Sequence, residues 1–209
     1  MGVPSTLLRR MAVVLLTLGV IGAGSYVAAY PEPSLVNPSW QLDVTHQTPK
    51  LIAVKGLEGR TRWYWYMPYK VVNKTDAEQL FVPDFAIATD EGDVIRAGQN
   101  VPADVFDAVL QKLNNPLIEH PLQVSGRILI GGDQAKESFA VWPWFEHDVD
   151  EMAVFFSGLS GETQMITHPA TGEPLQLRKT LMLLYRTPGT DTLPQNQSIQ
   201  PAEQIWVMR

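Results

Sequence analysis

The chain contains no cysteine. Disulfides, thiolate zinc sites, blue-copper ligation and a cysteine nucleophile are therefore excluded. The absence says nothing against export, because a body of this length buries enough surface to fold without bridges. Charge is also sparse, at 18% of residues, and it leans acidic: 16 basic against 22 acidic side chains give a net −6. With no long basic run, nucleic-acid binding through phosphate neutralisation is not expected. The four histidines, His46, His120, His147 and His168, show no metal-ligand spacing such as HxH or HExxH. There is no GxGxxG and no alternation of strand and helix patterns, so a dinucleotide-binding sheet is not expected either.

Apolar residues are plentiful at 45%, and 16 prolines punctuate the segments between them. Many short connections of this kind belong to an all-β protein. The N-terminus is different. Arg9 and Arg10 precede an apolar run over 11–21, small residues follow, and Val27-Ala28-Ala29 offers a cleavage site. Residues 1–29 are therefore expected to be a signal peptide or a membrane anchor. If uncleaved, residues 11–29 approach the ~20 needed to span a bilayer, with the body outside the cytoplasm. No Cys follows the run, which rules out lipoprotein processing. The body is thus expected to be exported, either periplasmic or anchored in the cytoplasmic membrane facing the periplasm.

Residues 30–49 read as a Pro-rich leader, kept extended by Pro31, Pro33, Pro38 and Pro49. Residues 50–187 read as one β-sandwich domain. Its centre is the stretch WYWYMPYKVVN, which holds two Trp and three Tyr between Trp63 and Asn73. Such residues fit a pleated, half-buried strand. Alternation puts Trp63, Trp65, Met67, Tyr69 and Val71 on one face and Tyr64, Tyr66, Pro68, Lys70 and Val72 on the other. Pro68 cannot donate to a ladder, which predicts a bulge or a local edge there. Further strands are expected over 50–55, 81–89, 94–97, 124–130, 137–142, 152–157 and 177–186, about eight in all. One helix is expected between Pro102 and Asn114, with Phe106, Val109, Leu110 and Leu113 forming its apolar stripe and capping an end or edge of the sheet. Residues 188–209 read as a flexible C-terminal tail closing on the apolar pentamer IWVMR. That pentamer is expected either to fold back on the body or to be docked by a partner as an added strand.

Motifs that carry chemistry are weak. Gly158-Leu159-Ser160-Gly161-Glu162 departs from Gly-x-Ser-x-Gly at its last position and has no helix pattern after it, so a loop is the better reading. The segment from Gly126 to Asp133 mimics half of a phosphate loop but lacks its Lys and Ser/Thr. Glu146, His147, Asp148, Asp150 and Glu151 form the densest acidic run without the order of a calcium loop. Asn73-Lys74-Thr75 and Asn196-Gln197-Ser198 match the N-glycosylation pattern. No cofactor and no metal are expected. The aromatic residues Trp63, Tyr64, Trp65, Tyr66, Trp142 and Trp144 are the candidate binding residues, as a protein or sugar-stacking surface weighed against simple core packing.

The pieces YWYMPYKVVNKTD, FVPDFAIATDEGDVI, FFSGLSGE and LRKTLMLLY resemble a family of uncharacterised exported proteins of planctomycete-type bacteria with Ig-like sandwich character. The resemblance spans most of 51–186, implies fold and export, and carries no known activity. The sequence thus points to a mainly β protein: an antiparallel two-sheet Ig-like sandwich with one capping helix. It is expected to be a non-enzymatic module that binds a protein or glycan partner in the cell envelope. The alternative is a carbohydrate-active or other hydrolase whose carboxylates come from distant strands.

Overall fold

The computed structural model describes residues 31–36, 38–56, 58–145, 149–187 and 199–209. The expected signal or anchor over 1–29 lies outside them. Among the described residues, no helix is long and apolar enough to cross a membrane.

The described chain is mainly β, with antiparallel sheets and one helix. Its strands are β1 (Asp43–His46), β2 (Lys50–Lys55), β3 (Thr61–Asn73), β4 (Gln79–Phe81), β5 (Asp84–Thr89) and β6 (Val94–Arg96), followed by helix α1 (Ala103–Leu113). Then come β7 (Gly126–Ile128), β8 (Gly131–Pro143), β9 (Glu151–Ser157), β10 (Thr163–Thr167), β11 (Pro174–Arg186) and β12 (Gln200–Met208). Sheet I places β3 between β8 on one side and β1 and β2 on the other. Sheet II runs β12-β11-β9-β5-β6. Strand β10 continues along the β9 side of β11, because Lys179 donates to Glu162 while its neighbour Arg178 exchanges hydrogen bonds with Arg209 of the β12 end. A short ribbon of β4 and β7 lies apart.

The alternation expected for the central strand holds. Trp65, Met67, Tyr69 and Val71 face a core shared with Phe85 and Ile87 of β5, Met152, Val154 and Phe156 of β9, and Leu181, Leu183 and Tyr185 of β11. The other face, with Tyr64 and Tyr66 beside Ile52, Phe139 and Val141, is covered by Val105, Phe106 and Val109 of α1. The helix therefore lies across an outer face of sheet I, rather than at an end or edge. Physically, two aromatic faces on one strand need two apolar lids, and the opposing sheet supplies only one. Each of the three buried helix side chains contributes roughly 1.5–3 kcal/mol. Proline before the first turn and a left-handed Asn114 after the last bound the helix.

Pro68 sits at the break its chemistry predicts. On one side of β3, β1 pairs through His46↔Tyr69 and β2 resumes at Lys50↔Tyr66. Three residues there oppose two, which is a bulge. The Gln47 N–H donates to the Pro68 carbonyl at 3.0 Å. In an antiparallel strand the N–H and C=O of one residue point the same way. The missing Pro68 N–H thus faces the bulge, while pairing with β8 runs unbroken through Pro68↔Phe139.

Other boundaries shift from the sequence expectation. The single strand over 81–89 is two, β4 and β5, parted at Val82-Pro83. The leader over 30–49 already contains β1, so the body begins before residue 50. The expected flexible tail is in part a strand: β12 pairs with β11 from Lys179↔Met208 to Arg186↔Gln200. The apolar pentamer folds back because Trp206 packs against the core and Ile205 and Val207 join Met182 and Leu184 on the outer face of sheet II. Residues 188–198 lie outside the described residues.

Candidate functional site

The six aromatic candidates divide by depth. Trp65 and Trp142 are cross-strand partners at 1% and 0% exposure, inside the core between the sheets. Their indole N–H groups have no hydrogen-bond partner. Tyr64 and Tyr66 are buried beneath α1. Only Trp63 and Trp144 are partly exposed, at the strand end where the Trp144 N–H donates to the Trp63 carbonyl at 3.0 Å. A stacked sugar ring would therefore reach Trp63 and Trp144 and would meet the other four only by opening the fold.

The serine motif is a seat for the leader. After β9 the chain turns at Gly158, whose φ of +88° and close approach to the Val82 carbonyl leave no room for a Cβ. Residues 31–36 and 38–42 then form a strap held to the loop over 158–162 through Ser34, Trp40, Gln41 and Leu42. The Leu42 N–H donates to the Leu159 carbonyl at 2.8 Å and the Gly161 N–H to the Trp40 carbonyl at 3.1 Å. Ser160 Oγ donates to that same Trp40 carbonyl and accepts the Glu162 N–H, both at 3.1 Å. A Cβ on Gly161 would strike Ser39 and Trp40. Ser160 is thus a structural link, spent on two backbone partners. His168 lies beyond the end of β10, where its Nδ1 accepts the N–H groups of Ala170 and Thr171.

Beneath the strap is a buried ion pair. Glu162 and Lys179 meet at 3.0 Å with side chains 6% and 4% exposed. The Ser34 N–H donates to Glu162 Oε1 at 2.7 Å, and Lys179 lies over the Trp206 ring at 5.4 Å. Burial pushes the Glu162 carboxyl up, but the Ser34 N–H and the Lys179 ammonium outweigh it and hold the carboxyl below its ordinary range. One carboxylate therefore ties together the strap, β10 and β11. The sequence offered no signal for this pair, because its members stand 17 residues apart in unremarkable strands.

Other polar candidates serve turns and edges. His46 bridges the two sheets, with Nδ1 3.4 Å from Tyr185 Oη and Nε2 3.3 Å from Gln204 Oε1. His120 Nδ1 accepts the Leu122 N–H, in the loop whose Glu119 caps the edge of β8. Asp90 and Asp150 meet near the β5–β6 turn, where burial first and then the Asp150 charge raise the Asp90 carboxyl, against backbone N–H groups that lower it. Glu151 pairs with Arg186 at 3.6 Å. Glu146, His147 and Asp148 lie outside the described residues. No group of three or more potential metal ligands occurs among the described residues. Asn73 is fully buried, donating to the Ala77 and Ile128 carbonyls and accepting from Thr75, so its sequon shapes a turn rather than presenting a sugar acceptor. The half phosphate loop is strand β7 followed by the start of β8.

What remains open is an edge. Arg209 exchanges both backbone hydrogen bonds with Arg178, so alternation turns the N–H and C=O of Met208, Trp206 and Gln204 away from β11. Among the described residues, no strand pairs with that side of β12. The segment QIWVM carries no charge and no proline, the usual devices that blunt an edge. Pro201 and Glu203 guard only the first half. Comparison with protein-family models, with curated proteins and with solved structures finds no match to the chain.

Proposed function

We propose that the chain is an exported or membrane-anchored, non-enzymatic binding module that recruits a protein partner in the cell envelope through the open edge of β12. The observation that carries this reading is the uncharged run Gln204 to Met208, whose outward backbone groups offer a template about 17 Å long. An extended partner segment would gain its affinity from that backbone and its selectivity from Ile205 and Val207 on the outer face. An immunoglobulin-like assignment is supported by strand order. Sheet I as β2-β3-β8 and sheet II as β6-β5-β9-β11 follow the A-B-E and C′-C-F-G arrangement, with α1 between C′ and E. A glycan partner is less well served, since only Trp63 and Trp144 of the aromatic set reach solvent.

The test uses the outward geometry. Gln204→Pro removes an N–H that points away from β11, so it leaves the native ladder in place and blocks an added strand. Capture of envelope proteins by the wild-type chain is expected to be lost with Gln204→Pro and kept with Trp63→Ala. Equal capture by Gln204→Pro would refute the edge, and loss with Trp63→Ala would favour the aromatic end instead.

A further inference from the structure

We infer that the β10–β11 hairpin, together with Leu35 and Val36 of the strap, forms the face of the body that meets a lipid bilayer. This inference rests on the anchored form of the reading above, in which residues 11–29 are the membrane segment. Ser34 is fixed to Glu162, and only five peptide steps separate it from Ala29. Fully extended, they span at most about 18 Å. The body is therefore held with the Glu162 region next to the bilayer, and it cannot turn that region away without breaking the strap.

The surface around Glu162 has the chemistry this placement calls for. Leu35 and Val36 are 105% and 83% exposed, Met165 62% and Leu175 40%. Leu35 directly follows the anchored Ser34, and Met165 stands three residues, about 10 Å, from Glu162. Ile166 and Leu175 are cross-strand partners on one face of the ribbon, while Met165 opposite Gln176 lies on the other. A ribbon packed on a protein needs only one apolar face, whereas one immersed among lipid headgroups exposes both to them. Between Thr163 and Leu177 the ionisable side chains are His168 and Glu173 alone, although the chain as a whole is acidic. The hairpin thus carries a single carboxylate, Glu173, and little negative charge to repel it from anionic lipid.

The absence of cysteine makes the test clean, because a single introduced thiol is unique. The full chain carrying Met165→Cys or Val94→Cys, labelled with an environment-sensitive fluorophore, is reconstituted in phosphatidylcholine–phosphatidylglycerol vesicles with or without brominated acyl chains. Val94 is a matched control: it is 57% exposed and pairs with Ala88. That row lies about 26 Å further along β11 than Met165. The expected result is a blue shift and several-fold stronger bromolipid quenching at position 165 than at 94. Equal quenching at the two positions, on a chain that floats with the vesicles, overturns the inference and leaves the anchor standing. A chain that does not float overturns the anchored reading and the inference with it. A label at 165 that is shielded without lipid would instead show that another protein surface covers the hairpin.

Discussion

Gly161 and Glu162 seat the strap on the body, one through close packing and the other through its carboxylate. Gly161→Ala would push Ser39 and the Trp40 ring off the loop, and Trp40 packs against the margin of the core. Its denaturation midpoint is expected to fall modestly as Trp40 is displaced, while proteolysis between Ser39 and Leu42 accelerates; an unchanged cleavage pattern would mean that the strap does not depend on this seat. Glu162→Ala removes the carboxylate that meets Lys179 and accepts the Ser34 N–H, and is expected to lower the urea denaturation midpoint. The carboxyl also sets an acid limit. Its folded pKa lies below the ordinary 4.5, so its contribution is present above that value and lost as pH falls through the lower, folded one. Stability of the wild type is expected to decline below about pH 4.5 more steeply than that of Glu162→Gln, and parallel acid curves would remove Glu162 from the account. At this scale the sequence was partly legible. Alternation assigned Trp65 and Tyr66 to opposite faces, and proline chemistry placed a break at Pro68. Neither Asn73 nor Ser160 could be read, because a motif records residue types, and their roles depend on carbonyls brought in from residues far away in the chain.

Among the elements, α1 was the most legible in place and the least in use. Its 3.6-residue stripe is visible in the sequence, but the surface it covers is created only when β2, β3 and β8 come together. Phe106 packs beside Phe139 at 6.4 Å and His120 at 5.2 Å. Phe106→Ala is expected to lose about 3–5 kcal/mol in chemical denaturation, with increased binding of a hydrophobic dye as Tyr64 and Tyr66 are uncovered. A loss under about 1 kcal/mol would show that the helix is a loosely attached cover. The elements missed in the sequence, β1, β10 and β12, are short or polar. Their pairing partners supply the order that their own composition lacks, and β10 is almost wholly exposed on a projecting ribbon.

The two larger sheets and the helix of the described body close over buried phenols. Burial raises Tyr66 and Tyr69, and pushes Tyr185 up to about 12. A group whose folded pKa is raised gives stability that is complete below its ordinary value of 10.0 and is lost as pH rises above it. The fold is therefore expected to weaken between about pH 10 and 12, with tyrosinate absorbance appearing together with the loss of β-sheet circular dichroism. Tyrosinate formation well before unfolding would show these phenols to be accessible to base. The two-layer plan was legible as a count of strands and turns. The strand order was not, because pairing between segments as distant as β5 and β9 leaves no trace in either one.

The Glu162–Lys179 pair also defines a path for mechanical force. If the chain is held at its N-terminus and pulled by a partner on β12, tension passes from Ser34 to Glu162, to Lys179 in β11, and across one ladder to β12. That route stays at one edge of the molecule and bypasses the interior between the sheets. The strap would then yield first and act as a fuse: in single-molecule pulling from the two termini, a small early extension should precede the main unfolding event and should weaken in Glu162→Gln.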